Sequence, residues 1–450
     1  MGTWNYITTI EIGSSKISGT VGMATYDGMK IVAYASEPVD GFISKGVIRN
    51  VDAASTSLSN IVNRLEAQLG GKVTIERAYI TIGGLSVHSI KSTVKRNFDE
   101  YKKITTEIID SMAMENDNEF VVPTGFQKVQ VIPQEYLLDG NSNVSPTGFH
   151  ARSIECSYLN IVINEQFMKQ LCESFEMARI EIVDSFCAAK IEADILLNKE
   201  DKSGCALVNI GADTTTVSIY RNDLLRKLVV LPLGGETITK DICAERISRE
   251  EAEQIKISRG YNSTNSEGLP FSLDTLNKII GARIQEILLN VKHQIEISGE
   301  IVPKILFTGG SAKIKNLKAL LDEHLTGYNT QIITDPSLNC FSDSNLYLAE
   351  GAITPTLFGL LSTGKENCCK EVLPKETVAP VQQTLFDEPE TAPEPAPEPE
   401  KPKEEETEKP KEEKKKAEKV KKKPIWQQKL IDMFADFKEN MSEDEEGEDD

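Results

Sequence analysis

Two stretches of the chain carry nearly the same pattern of apolar and polar positions. Residues 206–220 read Ala-Leu-Val-Asn-Ile-Gly-Ala-Asp-Thr-Thr-Thr-Val-Ser-Ile-Tyr, with apolar and β-branched residues on either side of a polar turn that begins at Gly211. That pattern predicts a tight β-hairpin. Residues 7–21, Ile-Thr-Thr-Ile-Glu-Ile-Gly-Ser-Ser-Lys-Ile-Ser-Gly-Thr-Val, repeat the design with Gly13 and Lys16 in the turn. Such turns present backbone N–H groups and hydroxyls to an anion. Either hairpin alone reads as an ordinary surface turn. Together they point to two related halves closing on one phosphate-bearing ligand.

Around these hairpins the periodicity predicts alternating strands and helices. A helix is expected from about residue 52, capped by Asp52, with Leu58, Ile61, Val62, Leu65 and Leu69 as its apolar stripe and Gly70 and Gly71 ending it. From 86 to about 163 the texture changes to short alternating strands around a helix that starts near Thr105 or Thr106, an inserted subdomain of mixed α and β type. Residues 248–260 read as a capped helix in which Glu253 and Lys256 stand one turn apart. For that pair a solvated intrahelical ion pair is the plain reading. A long helix spans 273 to about 298, buried through Leu276, Ile279, Ile280, Ile284, Ile287, Leu288, Val291 and Ile295. Residues 304–317 predict a strand, a Gly309-Gly310 turn and the start of a helix, a geometry that lets backbone approach a ligand closely.

Composition narrows the function classes. A chain of 450 residues exceeds a single core, so two or more domains are expected. A net charge of −20 argues against nonspecific nucleic-acid binding. The eight cysteines are scattered, and the one adjacent pair, Cys368 and Cys369, suits neither a structural disulfide nor a zinc site, so reduced cytoplasmic thiols are expected. No apolar run reaches the length of a membrane span. Residues 374–424 hold ten of the 19 prolines among Glu and Lys, a composition that cannot order itself. Beyond this linker, Trp426, Leu430, Met433, Phe434 and Phe437 fall on one face of a short helix, with Lys429 within it. An amphipathic membrane anchor and a helix that docks on a protein are both compatible with that face.

The order phosphate hairpin, insertion, second phosphate hairpin, Glu-Ala-Glu-Gln-Ile-Lys helix and Phe-Thr-Gly-Gly-Ser turn resembles the actin-like ATPase superfamily. Within it the chain resembles the FtsA family of bacterial cell-division proteins. Residues 131–136 (Val-Ile-Pro-Gln-Glu-Tyr) resemble a segment of that family's inserted subdomain, and the proline-rich linker ending in an amphipathic helix resembles its membrane-targeting tail.

The resemblance implies an α/β fold of two actin-like lobes with ATP between them. The expected boundaries are 1–85 with 164–203 for the first lobe, 86–163 for an FtsA-type α+β insertion and 204–364 for the second lobe. A disordered linker at 365–423, an amphipathic membrane-targeting helix at 424–440 and an acidic tail at 441–450 follow. Gly13, Ser14, Ser15 and Lys16 would face the phosphates from one lobe, and Gly211, Ala212, Asp213, Thr214 and Thr215 from the other. Gly235 would lie nearby, Glu253 and Lys256 at the ribose or adenine, and Gly309 and Gly310 along the adenine pocket. Magnesium would be held through water near Glu11 and Asn209. Readily hydrolysing members carry an aspartate in each hairpin, and here Glu11 and the neutral Asn209 replace them. An amide cannot act as a base and binds a hard cation weakly, and Asp213 would repel phosphate oxygens, so weak or absent hydrolysis is expected, with tight nucleotide binding itself in question.

The implied function is to bind FtsZ and tether the Z ring to the cytoplasmic face of the membrane at the septum as a peripheral protein. ATP-dependent self-polymerisation and contacts with other divisome proteins accompany it, and nucleic acid has no part. A pilus-assembly adaptor of the PilM type, or an actin-fold kinase or chaperone ATPase, is the alternative.

Overall fold

The computed structural model describes residues 5–26, 28–143, 145–333, 340–342 (backbone alone) and 353–371. The linker, Trp426, Lys429, Leu430, Met433, Phe434 and Phe437 lie outside these residues, as does the acidic end.

The first lobe begins as an antiparallel meander, β1 (Tyr6–Ile12), β2 (Lys16–Thr25) and β3 (Gly28–Pro38), followed by a small hairpin of β4 (Ile43–Ser44) and β5 (Val47–Ile48). Helix α1 (Val51–Gln68) then crosses the sheet, and β6 (Val73–Ile75) and β7 (Arg77–Ile82) follow. The cap of α1 is Asn50, whose side chain accepts the Ala53 N–H at 3.0 Å, so Asp52 lies in the first turn instead of at the cap. There its charge suits the positive end of the helix dipole.

The insertion comprises β8 (Val87–Lys103), α2 (Thr106–Glu119), β9 (Phe126–Leu138), β10 (Asn141–Asn143) and β11 (His150–Asn164). Three of its strands, β8, β9 and β11, are long, not short as the alternation suggested. Register shifts at Cys156/Tyr158 and Ile161/Val162 break the period of two without ending the pairing. The subdomain has its own core, from Val94 and Met112 to Ile154 and Tyr158. Its Gln134 and Glu135 dock on the second lobe. The buried Arg226 donates to Glu135 Oε1 at 2.6 Å and to Gln134 Oε1 at 3.3 Å, while Gln134 Nε2 donates to the Leu225 carbonyl at 3.2 Å.

The chain returns through α3 (Glu165–Met177), β12 (Glu181–Cys187), α4 (Ala188–Leu196) and the single turn α5 (Lys199–Lys202). The second lobe opens with another antiparallel meander, β13 (Gly204–Ile210), β14 (Thr215–Arg221) and β15 (Leu224–Leu231). Next come α6 (Gly235–Cys243), α7 (Arg249–Arg259) and α8 (Leu273–Glu296), the last two capped by Ser248 and Ser272. After α8 the chain forms β16 (Lys304–Thr308), a 3-10 turn at Gly310–Lys313, α9 (Leu317–His324) and β17 (Asn329–Ile332). The helix whose start was expected within 304–317 begins at Leu317, after the 3-10 turn. Asn316, at φ 61°, breaks the backbone between the 3-10 turn and α9.

The two sheets share a plan. The first has order β12-β7-β1-β2-β3 with β18 (Cys340–Ser342) at its edge, and the second has order β15-β14-β13-β16-β17. In each, a parallel strand lies beside the first strand of the meander, β7 on β1 and β16 on β13.

The end of the body corrects the expected boundaries. β18 pairs with β3, and α10 (Pro355–Thr363) packs on α4, β1 and β2, so this part of 204–364 belongs to the first lobe. Leu360 and Leu361 are fully buried there, each worth about 2 kcal/mol of hydrophobic stabilisation. The ordered chain also continues past Gly364. β19 (Cys369–Glu371) pairs with β6, and the Cys368 N–H donates to the Tyr6 carbonyl, which places residues 365–371 in the body and not in the linker.

Candidate functional site

Both hairpin turns close in the same way. The Gly13 N–H donates to the Lys16 carbonyl at 3.0 Å, and the Gly211 N–H to the Thr214 carbonyl at 2.8 Å. A Cβ on Gly13 would lie 2.9 Å from the Lys16 carbonyl, and one on Gly211 3.0 Å from that of Thr214. The N–H groups of Ser14, Ser15, Ala212 and Asp213 have no acceptor among the described residues. Thr215 instead is buried, its hydroxyl donated to the Leu233 carbonyl at 2.8 Å.

The other glycine-rich turns converge on the second hairpin. The Gly211 carbonyl accepts the Gly235 N–H at 3.0 Å and the Ser311 hydroxyl at 2.8 Å, and the Ala212 carbonyl accepts the Glu236 N–H at 2.7 Å. The first donors of α6 are thus spent on the hairpin and not left open for a ligand. Gly234 must be glycine for this contact, since a Cβ there would come within 2.3 Å of the Ala212 carbonyl oxygen. Across the cleft, the Asp213 carboxylate accepts the Lys45 N–H at 2.8 Å, and the Ser14 hydroxyl accepts the Gly46 N–H at 3.0 Å. The loop between β4 and β5 therefore joins both hairpin tips. Asp213, expected to repel phosphate, is turned onto first-lobe backbone.

The acidic positions differ. Glu11 and Asn209 are equivalent, each two residues before its glycine and each paired across to the next strand, Glu11 with Ser18 and Asn209 with Thr216. Glu11 accepts the Thr354 hydroxyl at 2.6 Å; burial raises its pKa, while that hydrogen bond and Lys16 act to lower it. Asn209 donates its Nδ2 to Glu192 Oε1 at 2.7 Å. Glu192 on α4 is 5 % exposed, and burial pushes its pKa up to about 7, with Glu11 adding in the same direction and the Asn209 hydrogen bond opposing. Nothing in the hydrophobic periodicity marks Glu192. The available signal was a carboxylate next to Ile191 and Ala193, on the buried side of a helix whose other charges, Lys190 and Asp194, pair with each other.

Lys256 is buried, and its three protons go to Glu253 Oε2 at 2.7 Å, Thr239 Oγ1 at 2.9 Å and the Gly235 carbonyl at 3.1 Å. The pair is thus a buried hub that ties α7 to α6, unlike the solvated ion pair of the plain reading. Gly309 adopts φ 95°, and a Cβ there would meet Asn209 Oδ1 at 2.3 Å, whereas Gly310 faces open space. Beyond Gly310, a polar pocket of about 660 Å³ is lined by Ser258, Arg259, Asn262, Lys315 and Asn316 among others.

The structure therefore gathers Gly13 to Lys16, Gly211 to Thr214, Gly235 and Gly309 around one cleft. The residues fit a magnesium nucleotide in donor set. Unpaired turn N–H groups and Lys16 suit phosphate oxygens, and the carboxylates of Glu11 and Glu192 suit a hydrated cation. Among the described residues no group of three or more His, Cys, Asp or Glu forms a direct metal site, and no helix is long and apolar enough to cross a membrane.

Comparison with known proteins agrees with this architecture. The family model "Cell division protein FtsA" matches residues 206–342, and "SHS2 domain inserted in FTSA" matches 84–162. The FtsA of Porphyromonas gingivalis is 28 % identical over 337 residues, covering 70 % of each chain. That of Bacillus subtilis is 27 % identical over 339 residues, covering 70 % of this chain and 76 % of its own. Among solved structures, the PilM-PilN type IV pilus biogenesis complex superposes with a TM-score of 0.58 at 17 % identity, covering 79 % of this chain and 98 % of that one, a likeness of fold. With the second lobe and the insertion matched by these family models, and relatives aligned over about 70 % of the chain, the chain is similar to the FtsA family of cell-division proteins and has the actin-like ATPase fold.

Proposed function

We propose that this protein binds FtsZ and tethers its filaments to the cytoplasmic face of the membrane at the division septum, assembling through its actin-like body when ATP is bound. The observation that carries the nucleotide part is the convergence of two equivalent hairpins and two further glycine turns on one cleft. In this reading the N–H groups of Ser14, Ser15, Ala212 and Asp213 hold phosphate oxygens, and Lys16 balances their charge. Glu11 would face the hydration shell of a bound magnesium ion, which would supply the remaining neutralisation of phosphate charge. Glu253 keeps Oε1 for the ribose, while Lys256 acts only by holding Glu253 and the start of α6 in place. Asn209 cannot take a proton from water, so the nucleotide serves assembly more than turnover.

The membrane part rests on the tail sequence, in which Trp426, Leu430, Met433, Phe434 and Phe437 share a face and Lys421 to Lys423 precede it. Each lysine near anionic lipid is worth about 1 kcal/mol. Asp432 and Asp436 oppose this, so a single copy binds weakly and a filament binds by avidity. The test is co-sedimentation of the full chain with FtsZ and anionic vesicles, with and without ATP. FtsZ should reach the vesicle pellet only with the wild-type chain, and Phe434→Asp should leave it in the supernatant. Retention of FtsZ on vesicles by Phe434→Asp would remove the anchor from this account, and no FtsZ pelleting with the wild type would remove the tether.

The structural likeness to the PilM-PilN complex favours a second reading, a pilus-assembly adaptor. The match of residues 84–162 to the insertion found in FtsA counts against it.

A further inference from the structure

The second sheet ends on β15, an edge strand whose outward N–H and C=O groups have no neighbouring strand to pair with. Side chains of the insertion take that place. The Ser89 hydroxyl accepts the Leu228 N–H at 2.8 Å and donates to the Leu228 carbonyl at 3.2 Å, and Gln134 Nε2 donates to the Leu225 carbonyl at 3.2 Å. Between these two points β15 carries a bulge. Ile219 of β14 faces Lys227 and Tyr220 faces Leu225, so Arg226 is the extra residue. The facing strand of the insertion is bulged as well, with Gln134 and Glu135 of β9 standing where β11 has Ser157 alone. A bulge re-aims side chains, and these two aim at each other. The buried Arg226 donates to Glu135 Oε1 at 2.6 Å and to Gln134 Oε1 at 3.3 Å.

The other end of the insertion is fixed to the first lobe. Strand β11 contributes Ile154, Cys156 and Tyr158 to the insertion's own core and Leu159, Ile161 and Ile163 to the core of the first lobe. A strand packed into two cores at once cannot swivel between them. We infer that the inserted subdomain is a brace between the lobes, and that the bulge-to-bulge latch at Arg226 sets how far the cleft can open. The latch sits opposite Tyr220, at the far end of β14 from the turn, about 17 Å along the strand. At the turn itself the lobes touch where the Asp213 carboxylate accepts the Lys45 N–H at 2.8 Å. Leu225 and Leu228 of the second lobe share the first-lobe core, so a rotation that parts the tips pivots beside the latch and must shear its directional hydrogen bonds. Two separate contacts therefore bias one motion, and the coupling between them is reciprocal. Loosening the insertion from β15 loosens the tips, and opening the tips strains the latch. The brace acts with or without a nucleotide, so its failure and that of the tether are distinguishable.

Three amides report on this coupling. The Lys45 N–H reads the contact across the cleft, and the Leu228 N–H reads the contact between β15 and the insertion. The Gly46 N–H, held by Ser14 Oγ within the first lobe, is the control. The test is hydrogen–deuterium exchange of the full chain without nucleotide, resolved to single amides. Glu135→Gln keeps the shape of a side chain that is 41 % exposed and removes its charge. It should speed exchange at Lys45 by about fivefold while Gly46 stays within about twofold. Arg226→Met should do at least as much, and adding Glu135→Gln to it should change Lys45 by less than about twofold, because the two groups form one latch. At the other contact, Asp213→Ala should quicken exchange at Leu228. Unchanged Lys45 exchange in Glu135→Gln overturns the proposal. So does equal quickening of Lys45 and Gly46, the mark of a loop that has merely loosened, and so does an unmoved Leu228 in Asp213→Ala. Should Arg226→Met fail to fold, Glu135→Gln and Asp213→Ala decide.

Discussion

The two hairpins at the cleft are the same object locally and different objects in context. Both turns start on glycine, close with the same N–H to carbonyl bond, and sit on a meander flanked by a parallel strand. Around them the supports diverge. The second is welded from behind by Gly235, Glu236 and Ser311, whereas the first is held by Val39, whose N–H meets the Ser15 carbonyl at 2.9 Å, and by Gly46. The acid beside the first turn is on the hairpin, and the acid beside the second has moved to α4. A turn's shape follows from a few residues of its own chain, but its charge is a property of everything packed on it.

The strongest way to break that comparison is at Gly234, which only the second hairpin needs. Gly234→Ala drives a Cβ into backbone at 2.3 Å, and a loss of about 3 kcal/mol is expected in denaturant unfolding. Gly13→Ala and Gly211→Ala meet their turn carbonyls at 2.9 and 3.0 Å, so each should cost about 1 kcal/mol and the two should match. Unequal losses would show that context already shapes the turn itself.

The charge difference has a pH signature. The Glu192 pKa of about 7 lies above its ordinary 4.5, so the folded chain binds more protons than the unfolded chain between those values. Stability should therefore fall as pH rises from about 4.5 through about 7, by roughly 3 kcal/mol in all. Glu192→Gln should flatten its part of that slope and raise stability at pH 8, leaving the contribution of Glu11, whose pKa is raised in the same direction. Unfolding curves at pH 5 and pH 8 check this. An unchanged slope in Glu192→Gln would mean that the carboxylate stays charged throughout. The same linkage bears on any attempt to restore hydrolysis: Asn209→Asp with Asp213→Gly should remain slow until Glu192 is also neutralised, which a steady-state phosphate-release assay can measure.

The smallest effects are expected at the tips. Asp213→Ala removes the bond to the Lys45 N–H, and Ser14→Ala removes the one to the Gly46 N–H, each worth about 1 kcal/mol or less in a part-exposed setting. Amide hydrogen exchange should quicken at Lys45 in the first variant and at Gly46 in the second. Global stability should barely move.

Much of this molecule was legible in the chain. The repeated apolar, glycine, polar, apolar pattern of residues 7–21 and 206–220 determines two hairpins, because strand periodicity and a glycine turn are local steric facts. Helices α7 and α8 announce themselves by Ser248 and Ser272 at their caps and by stripes that bury all but Ile279 of the expected α8 positions. Bulges hid the length of β9 and β11, since a register slip reads in sequence like the end of a strand.

Only the tertiary structure decided what faces what across long separations. That residues 340–342 and 353–371 return to the first lobe depends on β3, β6 and α4 offering them edges and an apolar face, which no local pattern encodes. Lys256 is one turn from Glu253 in any helix, yet its burial comes from Thr239 and Gly235 on a different helix. The clearest case is Asn209. In sequence it is a missing carboxylate; in the fold it is the donor to Glu192, 17 residues earlier. Local sterics act over a few bonds and are written in the chain, whereas burial and charge pairing depend on the dielectric and the neighbours that folding supplies.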